Sequence, residues 1–282
     1  MNLIIQGLNA VLSQHTATVQ SIATMSAAEK IIPLNSNAVR LENVQCDATI
    51  LQSIQELCLS AQLDVYHGPS HQLNEFKLVA MDMDSTLITI ECIDEIADMQ
   101  GLKPQVAEIT EAAMRGEIEF QESLIRRVGL LKGLEASALQ RVYDQRLQLS
   151  LGAENMLKQV QQAGLKTLLV SGGFTFFTDR IKSRLNLDYS LANVLEIVGD
   201  KLTGKVIGTI VDAEEKKRTV EKVCQELGIS TQSAIVMGDG ANDLKMMSIA
   251  GLSVAFRAKP VVRMQANVAL NFVGLDGVLN LF

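Results

Sequence analysis

Two aspartates separated by one residue, Asp82-Met83-Asp84, close a short apolar run from Leu78 to Met81 and are followed by Ser85-Thr86. Carboxylates held this close raise each other's pKa unless a cation sits between them. A second acidic set, Gly238-Asp239-Gly240-Ala241-Asn242-Asp243, follows the apolar run Ala234 to Met237, with glycines that allow a tight backbone approach. Between the two sets stands Ser171-Gly172-Gly173, after a strand over 166–170 and before a helix from about Thr175. Strand, Ser-Gly-Gly, helix can hold an anion, because the glycines let the backbone come close and the helix amino end offers free N–H groups. Lys216 and Lys217 fall near the start of a helix over about 214–227. A lysine there is slightly unfavourable against the helix dipole. Either the two lysines join a solvated cluster with Glu214 and Glu215, or one of them turns inward to the acidic groups.

Other chemistries are excluded by what the chain lacks. Its three histidines, His15, His67 and His71, all precede the Asp-x-Asp strand, so a catalytic unit beginning near Glu75 contains none. That removes Ser-His-Asp chemistry and phosphohistidine from the unit. The cysteines, Cys46, Cys58, Cys92 and Cys224, form neither a C-x-x-C pair nor a zinc spacing, and none has an arginine six positions later. The G-x-G at 238–240 lacks the third glycine of a dinucleotide site, and no G-x-x-x-x-G-K-[ST] occurs. A net charge of −7 argues against a nucleic-acid or anionic-membrane surface. The remaining tools are carboxylates, lysine and a hard metal ion. Free thiols, an amino terminus whose first lysine or arginine is Lys30 and the lack of a membrane-length apolar stretch all predict a cytoplasmic protein.

These groups need a parallel α/β sheet, in which chemistry gathers beyond the carboxyl ends of the strands. Strands are expected at 78–81, 166–170, 234–237, 252–256 and 268–272, with a hairpin of Val194 to Val198 and Lys201 to Ile207 about Gly199-Asp200. From about Glu91 to Ser150 the pattern is helical instead. Helices are predicted at 93–97, 106–114, 120–131 and 136–147, with breaks at Gly101, Gly116 and Gly133. Such an insertion after the first strand can cover a site as a lid. Phe120 and Arg127, seven apart, share one face of their helix. Residues 1–74 are expected to form a separate small α+β domain, with strands at 38–41 and 63–66 and a helix at 48–61; Gly68-Pro69-Ser70 and the polar 71–75 mark the linker. Dimerisation, regulation by a small molecule and structural support are the roles open to it, and a homodimer is compatible with the chain.

Asp-x-Asp-Ser-Thr, Ser-Gly, a lysine and Gly-Asp-Gly-x-Asn-Asp, in that order over roughly 76–270, resemble the haloacid dehalogenase (HAD) superfamily. The stretches Met81 to Glu95, Met114-Arg115-Gly116-Glu117 and Gly238 to Leu244 resemble its phosphoserine phosphatases in particular. The resemblance implies a Rossmann-like core over 75–282 with a parallel sheet and a helical cap at about 91–150. It implies Asp82 as nucleophile, forming an aspartyl-phosphate, and Asp84 as general acid and then base. Mg²⁺ would be bound by Asp82, the Asp84 carbonyl and Asp239, with Asp243 orienting that shell. Ser171 and the Gly172 N–H would hold phosphoryl oxygens. Lys216, 23 positions before Asp239, matches the lysine that offsets their charge, with Lys217 as its alternative, and Asn242 would contact the phosphate or its surroundings. In the cap, Glu91 would pair with the substrate amine, Arg127 with its carboxylate, and Phe120 would pack in the lid. The implied substrate is O-phospho-L-serine. The alternatives are another small phosphomonoester such as phosphohomoserine, or a non-catalytic phospho-ligand sensor, against which the intact Asp82, Asp84, Lys216 and Asp239 argue.

Overall fold

The computed structural model describes residues 1–282, the side chain of Met114 excepted. That side chain, part of the Met114-Arg115-Gly116-Glu117 stretch, lies outside the described residues. Two sheets organise the chain. The first is four-stranded and antiparallel, in the order β2-β3-β1-β4. It is built from β1 (Asn2–Gln6), two short helices α1 (Val11–Gln14) and α2 (Thr16–Met25), β2 (Lys30–Asn35), β3 (Ala38–Glu42), α3 (Ala48–Ser60) and β4 (Asp64–Gly68). The expected strands at 38–41 and 63–66 are β3 and β4. The pattern did not predict β1 and β2. Leu3 and Ile5 of β1 face a core shared with Val19, Ile22 and Ile54 of the helices. Ile4 and Tyr66, on the opposite face, join the core of the second sheet. Period-two alternation thus buries both faces of β1.

The second sheet has seven strands in the order β11-β10-β9-β5-β6-β7-β8. They are β5 (Leu78–Met81), β6 (Lys166–Phe174), β7 (Tyr189–Val198), β8 (Lys201–Ile207), β9 (Ala234–Gly238), β10 (Leu252–Phe256) and β11 (Val268–Leu270). All neighbours pair in parallel except β7 and β8, which form the expected antiparallel hairpin. Val79, Met81, Ile235 and Met237 face one core, while Leu78, Ala80, Ala234 and Val236 face the other. A strand buried on both sides must be apolar at every position, which is why β5 and β9 read as continuous apolar runs. The central β5 is also where strand order reverses, with β6 on one side and β9 on the other. Such a switch point opens a crevice at the carboxyl ends of the strands.

Between β5 and β6 lie α4 (Cys92–Asp98), α5 (Lys103–Met114), α6 (Phe120–Leu130) and α7 (Ser137–Gln145), then α8 (Ala153–Gln162) on the sheet. The segments entering and leaving the four-helix insertion pair with each other: Thr89 N–H donates to Gln148 C=O at 2.9 Å and Ser150 N–H to Leu87 C=O at 3.0 Å. Its far side is held by the β7–β8 hairpin, through backbone bonds of 2.8 Å from Gly133 to Leu202, Leu202 to Leu134 and Ala136 to Asp200. On the sheet, α9 (Thr175–Leu185) follows β6 and α10 (Ala213–Glu226) follows β8.

Several strands depart from the expected bounds. β6 runs on through Ser171-Gly172-Gly173 to Phe174, and β7 begins five residues earlier than predicted, at Tyr189. β11 stops at Leu270 instead of continuing to Phe272, because the N–H groups of Asn271, Phe272 and Val273 all donate to the Asp64 carboxylate, at 2.8–3.0 Å.

Candidate active site

Asp82 leaves the sheet one residue beyond β5, and its N–H donates to Met237 C=O of β9 at 3.0 Å. The chain then turns sharply, with Ser85 in the left-handed region at φ 55°. That turn sends the backbone toward the helical insertion and brings the Ser85 hydroxyl to Glu91, to which it donates at 2.6 Å. From the neighbouring strand, Gly238 delivers Asp239 and Asp243. A Cβ at Gly238 would lie 2.5 Å from the Asp243 Cβ, so only glycine lets that carboxylate fold back against β9. Asp239, Asp243 and Asp82 carry carboxylate oxygens that lie within 4.8 Å of one another.

Lys216 enters this cluster from α10. Its ammonium donates to Asp82 Oδ1 at 2.7 Å and to Asp243 Oδ1 at 2.8 Å, and its side chain is buried along with both partners. Lys217 points elsewhere; it is a third exposed and faces Glu221 at 3.7 Å. Asp243 is engaged on both oxygens, since Oδ2 accepts from Gly240 N–H at 3.0 Å. Asp239 accepts from the Thr86 hydroxyl at 3.3 Å. The Asp84 side chain is not a member of the 4.8 Å cluster among the described residues. Its Oδ1 accepts from Cys92 N–H at 3.4 Å, and its Oδ2 lies beside Gly173, at the front of the site.

One lysine cannot neutralise this much negative charge. Burial, then Asp243 and Asp239, pushes the Asp82 carboxyl well above the usual carboxylate range, although Lys216 pulls it down. Burial and Asp243 raise Asp239 to about 7, and burial with Glu91 raises Asp84 to about 7. For Lys216, burial works against the charged form, but Asp243 and Asp82 outweigh it and its pKa rises. Buried carboxylates that resist ionisation, with oxygen-only donors converging within 4.8 Å, fit a hard divalent cation.

The opposite wall is Ser171-Gly172-Gly173. Ser171 is buried and its Oγ accepts from Gly173 N–H at 2.9 Å. The cap rests on this loop: a Cβ at Gly172 would sit 3.1 Å from the Phe120 ring, so a larger residue would push against that ring. Gln121, next to Phe120, donates to Asp212 at 2.8 Å, and Asp212 is the side chain that caps α10. Arg127, on the same helix, is half-buried; burial lowers its pKa, while Asp94, Glu91 and Asp84 act against that. Solvent reaches Glu91, yet the surrounding protein pushes its carboxyl up, with Arg127 and Lys259 pulling it back. Asn242 is half-buried, its Oδ1 folded over Gly240.

The structure therefore brings Asp82, Asp239, Asp243 and Lys216 into mutual contact or near-contact, with Asp84 and Ser171 in front and Glu91, Phe120 and Arg127 on the cap. Sequence reasoning missed Lys259, whose charge also acts on Asp239 and whose N–H donates to the Asp239 carbonyl at 3.0 Å. It missed Asn193, Asp212 and Gln121 as well. Lys259 lies three residues past β10, so its place beyond a strand's carboxyl end was the available signal. A cavity of about 690 Å³ lies where Asn35 and Asn37 meet Asn155 and Asn280, and none of the motif residues lines it.

Residues 76–251 match the haloacid dehalogenase-like hydrolases. Over 218 residues the chain is 56% identical to a phosphoserine phosphatase of Polaromonas sp., an alignment spanning 76% of this chain and 92% of the relative. A HAD family hydrolase from Salmonella enterica serovar Typhi superposes with a TM-score of 0.87 at 32% identity, covering 99% of this chain and 97% of the other. A probable phosphoserine phosphatase from Vibrio cholerae superposes with a TM-score of 0.83 at 35% identity, covering 99% and 85%. With the family match spanning residues 76–251, which fold around the carboxylates, and identity at this level, the conclusion is that the chain belongs to the haloacid dehalogenase-like hydrolases.

Proposed function

We propose that the chain is a Mg²⁺-dependent phosphoserine phosphatase, which hydrolyses O-phospho-L-serine to L-serine and phosphate through an aspartyl-phosphate. The observation that carries this reading is the buried Lys216 ammonium bridging Asp82 and Asp243 at the carboxyl end of the central strand, with Asp84 and the cap facing it. Asp82 attacks phosphorus; the bond from phosphorus to the serine oxygen breaks as Asp84 gives that oxygen its proton. An alkoxide is a poor leaving group, so a carboxyl that still holds its proton near neutral pH suits the task. Water then attacks the aspartyl-phosphate, Asp84 accepts its proton, and phosphate leaves with Asp82 restored. Ser171 and the Gly172 N–H hold phosphoryl oxygens, Lys216 offsets their charge, and Asn242 contacts their surroundings. Asp82, Asp239 and the Asp84 carbonyl would hold Mg²⁺, with Asp243 orienting that set, and the ion would supply charge neutralisation at the phosphoryl group.

The cap supplies the specificity. Glu91 pairs with the substrate amine, Arg127 with its carboxylate, and Phe120 closes the lid over the loop. The names of the Polaromonas sp. and Vibrio cholerae relatives support this substrate. We take residues 1–74 as a small domain and 75–282 as the phosphatase domain, with the cap at about 91–150. No helix of the described residues is long and apolar enough to cross a membrane, and all four cysteines are unpaired, in keeping with a cytoplasmic enzyme.

The test is phosphate release from O-phospho-L-serine against a panel that includes phosphohomoserine and p-nitrophenyl phosphate, each with Mg²⁺ and with excess chelator. Phosphoserine should give the highest kcat/KM, and chelator should abolish turnover until Mg²⁺ is restored. A higher kcat/KM for phosphohomoserine would reassign the substrate. Full turnover in chelator would remove the metal, and no hydrolysis of any monoester would favour a sensor.

A further inference from the structure

β6 and β7 do not run in step. Val170 pairs with Leu191 and Phe174 with Asn193. Between those pairs β6 carries Ser171, Gly172 and Gly173, whereas β7 carries Ala192 alone. The three residues bulge from the ladder, and their peptide groups lose the partners that a regular strand supplies. The Asn193 side chain replaces one of them. Asn193 is only 1% exposed, its Nδ2 donates to Gly172 C=O at 2.7 Å, and its Oδ1 accepts from Val211 N–H at 2.9 Å. Asparagine is disfavoured in strands, and a buried amide is costly unless both its ends are paired. Here both ends are paired to backbone, in the two segments that flank the phosphoryl position.

The Gly172 carbonyl and the Gly173 N–H share one planar trans peptide and point opposite ways. Fixing that carbonyl on Asn193 aims the Gly173 N–H at Ser171 Oγ. With Oγ accepting there, the hydroxyl hydrogen of Ser171 is left to donate to a phosphoryl oxygen. The second bond tethers Val211, which adjoins Asp212, the cap of the helix that brings Lys216 to Asp82. We infer that Asn193 is a positioning residue, which sets the Ser171–Gly173 bulge as a phosphoryl cradle and couples it to the helix carrying Lys216. The inference rests on the reading of Ser171 and Gly172 as phosphoryl-holding groups.

The test uses the full chain with Mg²⁺ and compares Asn193→Ala, Asn193→Asp, Ser171→Ala and the double variant S171A/N193A. The readouts are kcat and KM on O-phospho-L-serine and p-nitrophenyl phosphate, inhibition by inorganic phosphate, and the thermal midpoint. Asn193→Asp keeps the size and the acceptor for Val211 but sets an oxygen against the Gly172 carbonyl. Both Asn193 variants should lose about 10–100-fold in activity, equally on the two substrates, with weakened phosphate inhibition. The double variant should fall little below the worse single, because both act through one loop. A lowered thermal midpoint with unchanged kcat and phosphate inhibition would overturn the inference, as would losses that multiply in the double variant. If Ser171→Ala behaves as wild type, the reading of the cradle fails instead. Should the Ala and Asp variants not fold, Asn193→Ser keeps a polar group but is too short to reach both Gly172 C=O and Val211 N–H; reduced kcat with weaker phosphate inhibition supports the role, and wild-type values overturn it.

Discussion

Lys216 donates to Asp82 and Asp243 from inside the protein, so these three side chains act as a set. Breaking a buried pair by removing one partner leaves an uncompensated charge, whereas an isosteric change that keeps the shape isolates the chemistry. Asp82→Asn is that change. It retains an oxygen for Lys216 but replaces the carboxylate proposed as nucleophile with an amide. The expected loss in kcat is about four orders of magnitude or more, with binding of substrate much less affected. Brief reaction of the wild type with labelled phosphoserine should leave hydroxylamine-sensitive phosphate on Asp82, and the variant should carry none. Phosphate found on another residue, or no trapped phosphate in a competent wild type, would argue for a different route.

At the scale of elements, the cap is held in three places: the paired entry and exit segments at its base, the β7–β8 hairpin, and the contacts of α6 with Gly172 and Asp212. α6 thereby presents Arg127 inward and Arg126 outward, where Arg126 pairs with Glu122 on the surface. Removing one partner of a desolvated charge pair costs about 2–5 kcal/mol. At about 1.4 kcal/mol per factor of ten, Arg127→Ala should lower kcat/KM for phosphoserine by roughly 25-fold or more. p-Nitrophenyl phosphate, which has no carboxylate, should lose far less, because the strand-borne groups are untouched. Arg126→Ala should be nearly silent on both. Equal losses on both substrates for Arg127→Ala would assign Arg127 to the fold or the chemistry, not to substrate choice.

Across the whole molecule, the two sheets are joined by one buried carboxylate. Asp64, the first residue of β4 and 2% exposed, accepts from the backbone N–H groups of Asn271, Phe272 and Val273 and from the Asn271 side chain. Gln6, Asn35 and Asn280 form a second polar link nearby, and Ile4 and Tyr66 pack on the C-terminal segment. A buried N–H left without an acceptor costs about 1–3 kcal/mol. Asp64→Ala should therefore destabilise the protein by about 2–4 kcal/mol, read as a lower urea midpoint at unchanged slope. The carboxylates proposed to be catalytic arise from other strands, so kcat of the folded variant should stay within about twofold. A wild-type midpoint would show that the apolar contacts alone join the sheets.

The motif groups were legible in the sequence because each is local. Asp82-x-Asp84 and Gly238 to Asp243 are fixed by the spacing of a few residues at strand ends, and the cap helices by apolar periodicity and their glycine breaks. The fold class follows from the same continuous apolar strands. What the chain could not disclose by itself involves partners far apart in sequence. Asp64 meets residues 207 to 209 positions away, so nothing local marks it as a joint, and β11 was expected to run two residues too far for the same reason. Lys216 and Lys217 differ by about 100° around their helix, and only the docking of α10 on the sheet decides which one reaches Asp82. Nothing local marks Asn193, because its two backbone partners come together only once β6 bulges beside β7. Local spacing marked the groups to which the chemistry is assigned; long-range packing settled which way they point, since burial and register belong to the assembled sheet and not to any one segment of it.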